Sequence, residues 1–185
     1  MSKLKIGVIG CGSIAKYRHL PEYAANANVE IVAVCDIVPE RAETMAAQYR
    51  AKAFTDYQEV LKLKEVDAVS VCLPNYLHAP VSIAALNSGK HVLCEKPMAT
   101  SREEAEAMIQ AAKANGKKLM IAHNQRFVAS HQKAKEIIES GKLGKIYSFK
   151  TTFGHSGPEG WSADGKDSWF FNKENFLLKL QSELP

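Results

Sequence analysis

The chain has 185 residues, 46% hydrophobic and 24% charged, with a formal net charge of +4, the make-up of a water-soluble globular protein with room for one good core and part of another. Its basic excess is mild and spread out, with no run of five or six like charges, which argues against a nucleic-acid-binding arm. No apolar stretch approaches the roughly 18 residues needed to span a bilayer as a helix. Glycines at 7, 10 and 12 break the apolar run that follows Lys3 and Lys5, so a strand and loop fit better there than a secretory leader. The expectation is a cytoplasmic protein with neither a membrane nor a nucleic acid as partner.

In chain order, "LKIGVIG" (4–10), "EIVAVCD" (30–36), "VDAVSVCLP" (66–74), "HVLCEKP" (91–97) and "LMIAHN" (119–124) are short runs rich in Val and Ile, bounded by Gly, Pro, Asp or Asn. They suit strands buried on both faces, and the weaker "AKAF" (51–54) makes a sixth. Helical segments lie between them. Thr55 with Gln58, and Ser101 with Glu104, have the spacing of capping boxes. Gly89 and Gly116 stand where helix C-termini belong. Ala105, Met108, Ile109 and Ala112 recur at helical spacing and should face the sheet. Strand and helix repeated about six times predict an α/β fold, a doubly wound parallel sheet whose ligands bind at the carboxyl ends of the strands. After residue 126 the pattern changes to a helix, "HQKAKEIIESGKLG", and an alternating strand, "KIYSFKTTF" (145–153), the opening of a second, α+β unit.

Cys11, Cys35, Cys72 and Cys94 have no C-x-x-C spacing and sit in or beside apolar runs, which points to buried, reduced thiols and against a metal site. The strongest motif is Gly10-Cys11-Gly12-Ser13-Ile14-Ala15, between the first strand and a helix. Gly10 permits a tight turn, Gly12 admits a pyrophosphate to the backbone, and Ala15 takes the third small position. Asp36 ends the second strand about 20 residues later, where the fingerprint asks for an acid on the adenosine ribose. Dinucleotide binding follows. An acid there repels a 2'-phosphate and favours NAD over NADP, while Arg41 is near enough to keep NADP open.

Four stretches together resemble the glucose-fructose oxidoreductase, inositol dehydrogenase and rhizopine catabolism family, Gfo/Idh/MocA. They are "GVIGCGSIA" (7–15), "VCLPNYLHAP" (71–80), "CEKPMA" (94–99) and "HNQRF" (123–127), in the family's order and spacing. The resemblance implies that Pro74, Asn75 and His78 lie near the nicotinamide half of the cofactor. It implies the same for Glu95, Lys96 and Pro97, with Lys96 the catalytic group on the reacting hydroxyl and Pro97 a candidate for a cis bond. Asn124, Gln125 and Arg126 match the family's stretch near cofactor and substrate. For His78 alone, packing at a helix start is the commoner role; the aromatics Trp161, Trp169, Phe170 and Phe171 could line a sugar site or belong to a core, and a core is the commoner role.

The resemblance further implies a 1–126 cofactor-binding domain and a 127–185 start of a substrate domain through which the protein could form a homo-oligomer. The implied reaction is hydride transfer between NAD(P) and a secondary alcohol of a sugar, inositol or related polyol. Family members run to about twice this length and carry an Asp-x-x-x-His helix beyond the position of Asn175; no Asp or His follows residue 175 in this sequence. The tail 176–185 therefore reads as atypical, a truncation is expected, and little turnover is expected from these 185 residues alone. The alternative is a module that binds NAD(H) without turnover.

Overall fold

In a computed structural model, the structure describes residues 2–152, 154, 160 and 162–171. Six strands form one sheet: β1 (Leu4–Ile9), β2 (Val29–Cys35), β3 (Lys52–Phe54), β4 (Ala68–Val71), β5 (His91–Cys94) and β6 (Leu119–Ile121). Their order is β3-β2-β1-β4-β5-β6 and every pairing is parallel. The chain leaves β1 toward β2 and β3 on one side, then crosses back to lay β4, β5 and β6 on the other. Between the ends of β1 and β4 the strand order reverses, and that crevice is where such sheets take ligands.

Apolar residues on alternate sides of each strand divide the core in two. Against one face pack α1 (Leu20–Ala25), which continues a π-helical turn at Ala15–His19, and α2 (Pro39–Tyr49). They bury Ala15, Leu20, Met45 and Ala46 on Val8, Ile31 and Val34. Against the other face lie α3 (Tyr57–Lys62), α4 (His78–Asn87) and α5 (Arg102–Ala114), where Val60, Val81, Leu86 and Met108 meet Ile9, Val71 and Val92. Burial on both faces is why these strands read as near-continuous apolar runs, and each fully buried Val, Leu or Ile contributes about 1.5–3 kcal/mol.

Local details depart from expectation in several places. The N-cap of α3 is Asp56, whose carboxylate accepts from the Gln58 amide at 2.9 Å, so Thr55 does not cap. The nearer acid holds an amide two residues on, a reach that needs no box. At α5, Ser101 Oγ accepts from the Glu104 amide at 3.2 Å as expected. The Glu104 carboxylate turns instead to Thr100, accepting from its amide at 2.9 Å and its hydroxyl at 2.8 Å. Met108 and Ala112 are buried, but Ile109 is 40% exposed, because α5 covers the edge of the sheet and its apolar stripe is wider than the contact. Gly89 and Gly116 do take positive φ at the helix ends.

Beyond β6 a 3₁₀ turn (Asn124–Phe127) leads into α6 (Ala129–Glu139). Residues 123–152 are all exposed. The strand expected at 145–153 is not formed over its described residues, 145–152. Alternation creates a demand for pairing, and no strand among the described residues meets it. Phe153, Trp161 and the tail 176–185 lie outside the described residues.

Candidate functional site

The crevice between β1 and β4 is a cleft of about 330 Å³ whose walls include Gly10, Gly12, Ser13 and Ile14 from the glycine loop. Asp36, Ile37 and Arg41 add the end of β2, and Leu73, Pro74, Tyr76 and Leu77 the end of β4. The two glycines differ. Gly10 has φ +95°, and a Cβ on it would lie 2.3 Å from the Cys72 carbonyl oxygen, so only glycine lets the loop turn this close to β4. A Cβ on Gly12 would meet nothing within 4 Å, which leaves the backbone open on the cleft side. Beyond Arg41 the depression continues past Lys16 and Tyr17.

Asp36 is buried at the cleft edge. Its Oδ2 accepts from the Cys11 amide at 2.9 Å and its Oδ1 from the Val38 amide at 3.0 Å. These bonds tie the glycine loop to β2 and leave each oxygen a further lone pair. Burial, with Asp36 adding to it, pushes the Cys11 thiol up to about 12. Burial likewise takes Cys35 and Cys94 up to about 12 and raises Cys72. All four cysteines are free and buried, and such thiols are poor nucleophiles.

At the carboxyl end of β5 stand Glu95, Lys96 and Pro97, and the Lys96–Pro97 bond is cis. Lys96 is exposed, while Glu95 is buried. Glu95 Oε1 accepts from His19 Nε2 at 2.7 Å, and its Oε2 accepts from the Lys96 amide at 3.2 Å. Burial works to raise the Glu95 carboxyl, but the hydrogen bond and charge of His19, then Lys96, outweigh it and hold the group below its ordinary value. His78, only 1% exposed, lies between the two parts of the site. Its Nε2 is 2.8 Å from the Leu73 carbonyl oxygen on the cleft wall, and its Nδ1 is 2.6 Å from that of Pro97.

Of the residues picked out from sequence, the glycine loop, Asp36, Arg41 and Pro74 converge on the cleft. Asn75 is buried behind it. His78 has both ring nitrogens against backbone carbonyls and offers none to a ligand. Glu95, Lys96 and Pro97 stand one imidazole away from Leu73. Asn124, Gln125 and Arg126 form the exposed turn after β6 and do not line the cleft.

Sequence reasoning missed the segment 162–164 and favoured a core for Trp169 and Phe170. Ser162, Ala163, Asp164, Trp169 and Phe170 all line the cleft. Asp164 pairs with the Arg41 guanidinium. The rings of Trp169 and Phe170 stack at 3.9 Å; both belong to the cleft wall, not to either core cluster, and Phe171 is 45% exposed. Adjacent aromatics in a loop rich in Gly, Ser and Asp were the available signal. His19 was missed as well, since its partner is 76 residues away.

A parallel sheet in this strand order, with a glycine loop after β1 and an acid after β2 at the reversal point, is a Rossmann domain of the dinucleotide-binding class. The chain belongs to the Gfo/Idh/MocA oxidoreductase family: the family's NAD-binding Rossmann fold matches residues 4–123, and its C-terminal domain matches residues 131–177. It is 38% identical over 146 residues to an inositol 2-dehydrogenase of Salmonella typhimurium, covering 77% of this chain and 43% of that protein. It is 35% identical over 175 residues to the D-glucoside 3-dehydrogenase of Escherichia coli, covering 94% and 48%. Among solved structures, a 3-ketoreductase from Actinomadura kijaniata in complex with NADP superimposes with a TM-score of 0.73 at 34% identity, over 78% of this chain and 46% of that one. The WlbA dehydrogenase from Bordetella pertussis, in complex with NADH and UDP-GlcNAcA, does so with a TM-score of 0.76 at 33% identity, over 79% and 42%. The chain spans less than half the length of these relatives.

Proposed function

We propose that the chain is the cofactor-binding part of an NAD(P)-dependent oxidoreductase that transfers hydride to or from a secondary alcohol of a sugar, inositol or related polyol. The observation that carries this reading is the joining of two sites through one ring: a glycine-and-acid cleft at the sheet's reversal point, and the Lys96 element behind it. Residues 1–126 are read as the cofactor-binding domain and 127–185 as the start of a substrate domain. A homo-oligomer and a cytoplasmic location complete the reading, the latter in keeping with four buried, reduced thiols.

The cleft fits a dinucleotide on two counts. Gly12 leaves open space where a pyrophosphate would lie against the backbone, and the N-terminal turns of the helix that follows supply amide donors. Asp36, already fixed by two amides, keeps acceptor capacity for ribose hydroxyls and disfavours a 2'-phosphate. Arg41 would offset that charge were it not paired with Asp164. When bound, NAD(P) supplies the hydride acceptor or donor. Ile37 and Tyr76 give the cleft apolar walls for the bases.

Lys96 is the group assigned to the reacting oxygen. Its ammonium polarises a carbonyl that is being reduced, or stabilises the alkoxide that develops when an alcohol is oxidised, which is electrostatic help placed where charge appears. Lys96 therefore holds charge, and the proton passes to another group.

The test is a titration of the chain with NADH and NADPH, followed by a panel of inositols, glucosides and nucleotide sugars with NAD. Saturable NADH binding, tighter than NADPH, is expected, and any polyol-dependent NADH formation would identify the substrate class. Tighter NADPH binding would overturn the cofactor preference. A folded chain that binds neither nucleotide would overturn the reading.

A further inference from the structure

The two residues that flank Lys96 are each held by a buried histidine from a different part of the chain. On one side, His19 ends the π-helical turn that follows the glycine loop, and its Nε2 meets Glu95 Oε1 at 2.7 Å. A carboxylate can only accept, so His19 donates through Nε2. Its Nδ1 lies 2.8 Å from Ser70 Oγ, which in turn accepts from the Tyr23 hydroxyl at 3.1 Å. A chain of hydrogen bonds then links Tyr23, Ser70, His19 and Glu95, and Glu95 accepts the Lys96 amide at its other oxygen. Each of these polar groups has a partner, which is what a buried polar network needs if it is to be rigid.

On the other side, His78 opens α4 and spans from the Leu73 carbonyl to that of Pro97. Both partners are acceptors, so the ring donates to one carbonyl or the other according to its tautomer and fills the space between them in either case. An apolar residue of similar size would fill the space. It would also leave a partly buried carbonyl without the ring's N–H donor, which costs stability.

We propose that His19 and His78 are positioning residues for Lys96: they grip the chain on either side of it and couple its placement to the glycine loop through one ring and to the cleft wall at Leu73 through the other. This rests on the reading of Lys96 given above. Neither ring need touch cofactor or substrate. Occupation of the cleft, which presses on the glycine loop and on Leu73, reaches Lys96 through these two rings.

The grips use different nitrogens, and this separates positioning from mere filling. An asparagine amide nitrogen stands near the place of Nδ1, and a glutamine amide nitrogen near that of Nε2. Thus His19→Gln and His78→Asn keep the bond to the Lys96 flank, whereas His19→Asn and His78→Gln keep only the bond on the far side. Hydrogen exchange at the Lys96 amide, and the chemical shift of the Met98 amide, which shares a peptide unit with the Pro97 carbonyl, read the difference in the 185-residue chain without nucleotide. Lys96 exchange should rise about tenfold in His19→Asn and less than about threefold in His19→Gln, and the Met98 amide should shift in His78→Gln and stay near its wild-type position in His78→Asn, with β1 and β4 unchanged. The same preference for Asn or for Gln at both positions would overturn the proposal, as would faster exchange spread evenly through the sheet. If one variant fails to fold, the pair at the other position decides alone. NADH is added in a separate arm: failure to bind overturns the functional reading, while the crossover, measured without nucleotide, decides the grip by itself.

Discussion

Helices α5 and α6 are of similar length, 13 and 11 residues, and both carry apolar residues at helical spacing. In α5 that spacing brings Met108 and Ala112 into the core beside α4. In α6 it leaves Ile137 and Ile138 at 39% and 43% exposure, with no residue buried. The same contrast divides the described residues, for the sheet body is packed on both faces while residues 123–152 are all exposed. An amphipathic pattern states a need for a partner surface. Whether the need is met depends on the rest of the chain.

The largest effect is expected where the body is tightest. Gly10→Ala places a methyl group 2.3 Å from the Cys72 carbonyl at a φ of +95°, and it should cost about 3 to 5 kcal/mol in urea unfolding. Gly12→Ala should leave stability within about 1 kcal/mol and weaken NADH binding instead, since its neighbourhood is open. Equal stability losses at the two glycines would count against the loop geometry.

Next comes the comparison of helices itself. Met108→Ala empties a fully buried site and should cost about 2 to 5 kcal/mol. A pH effect follows in size. The Glu95 carboxyl lies below its ordinary value of 4.5 in the folded chain. Its bonded carboxylate therefore adds stability that is complete above the unfolded value and is lost as pH falls through the folded one. In Glu95→Gln that acid-side slope should flatten, with the wild-type advantage seen above pH 4.5 shrinking below it in unfolding midpoints taken across pH. An unchanged slope would show that His19 does not stabilise the ionised form. The smallest effect belongs to the exposed region: Ile138→Ala should change stability by no more than about 0.5 kcal/mol. A loss there as large as at Met108 would erase the contrast between the two regions.

Much of the body was legible because it rests on local rules. Six apolar runs became six strands, and the loop from Gly10 to Ala15 with Asp36 landed on one cleft. The failures have definite causes. Thr55 had the spacing of a cap, but Asp56 was one residue closer and carried a charge. Ile109 had the period of a buried residue, but helical period does not report how wide the contact will be. The strand at 145–153 had alternation, and pairing is not a property of one segment. Trp169 and Phe170 fell on the cleft wall because a segment more than 120 residues from Arg41 returns to it through Asp164. The grip on Lys96 was invisible for the same reason: His19 and Glu95 are 76 residues apart, and His78 reaches a backbone carbonyl that no side-chain pattern encodes.

The central claim is that the cleft beside Gly12, Asp36 and Trp169 receives a nicotinamide dinucleotide. Tryptophan fluorescence during an NADH titration tests it most directly, because Trp169 lines that cleft. Saturable quenching below about 1 mM NADH, weakened in Gly12→Ala at unchanged stability, is the predicted result. A chain that unfolds cooperatively in urea, yet shows no saturable change with NADH or NADPH, would contradict it.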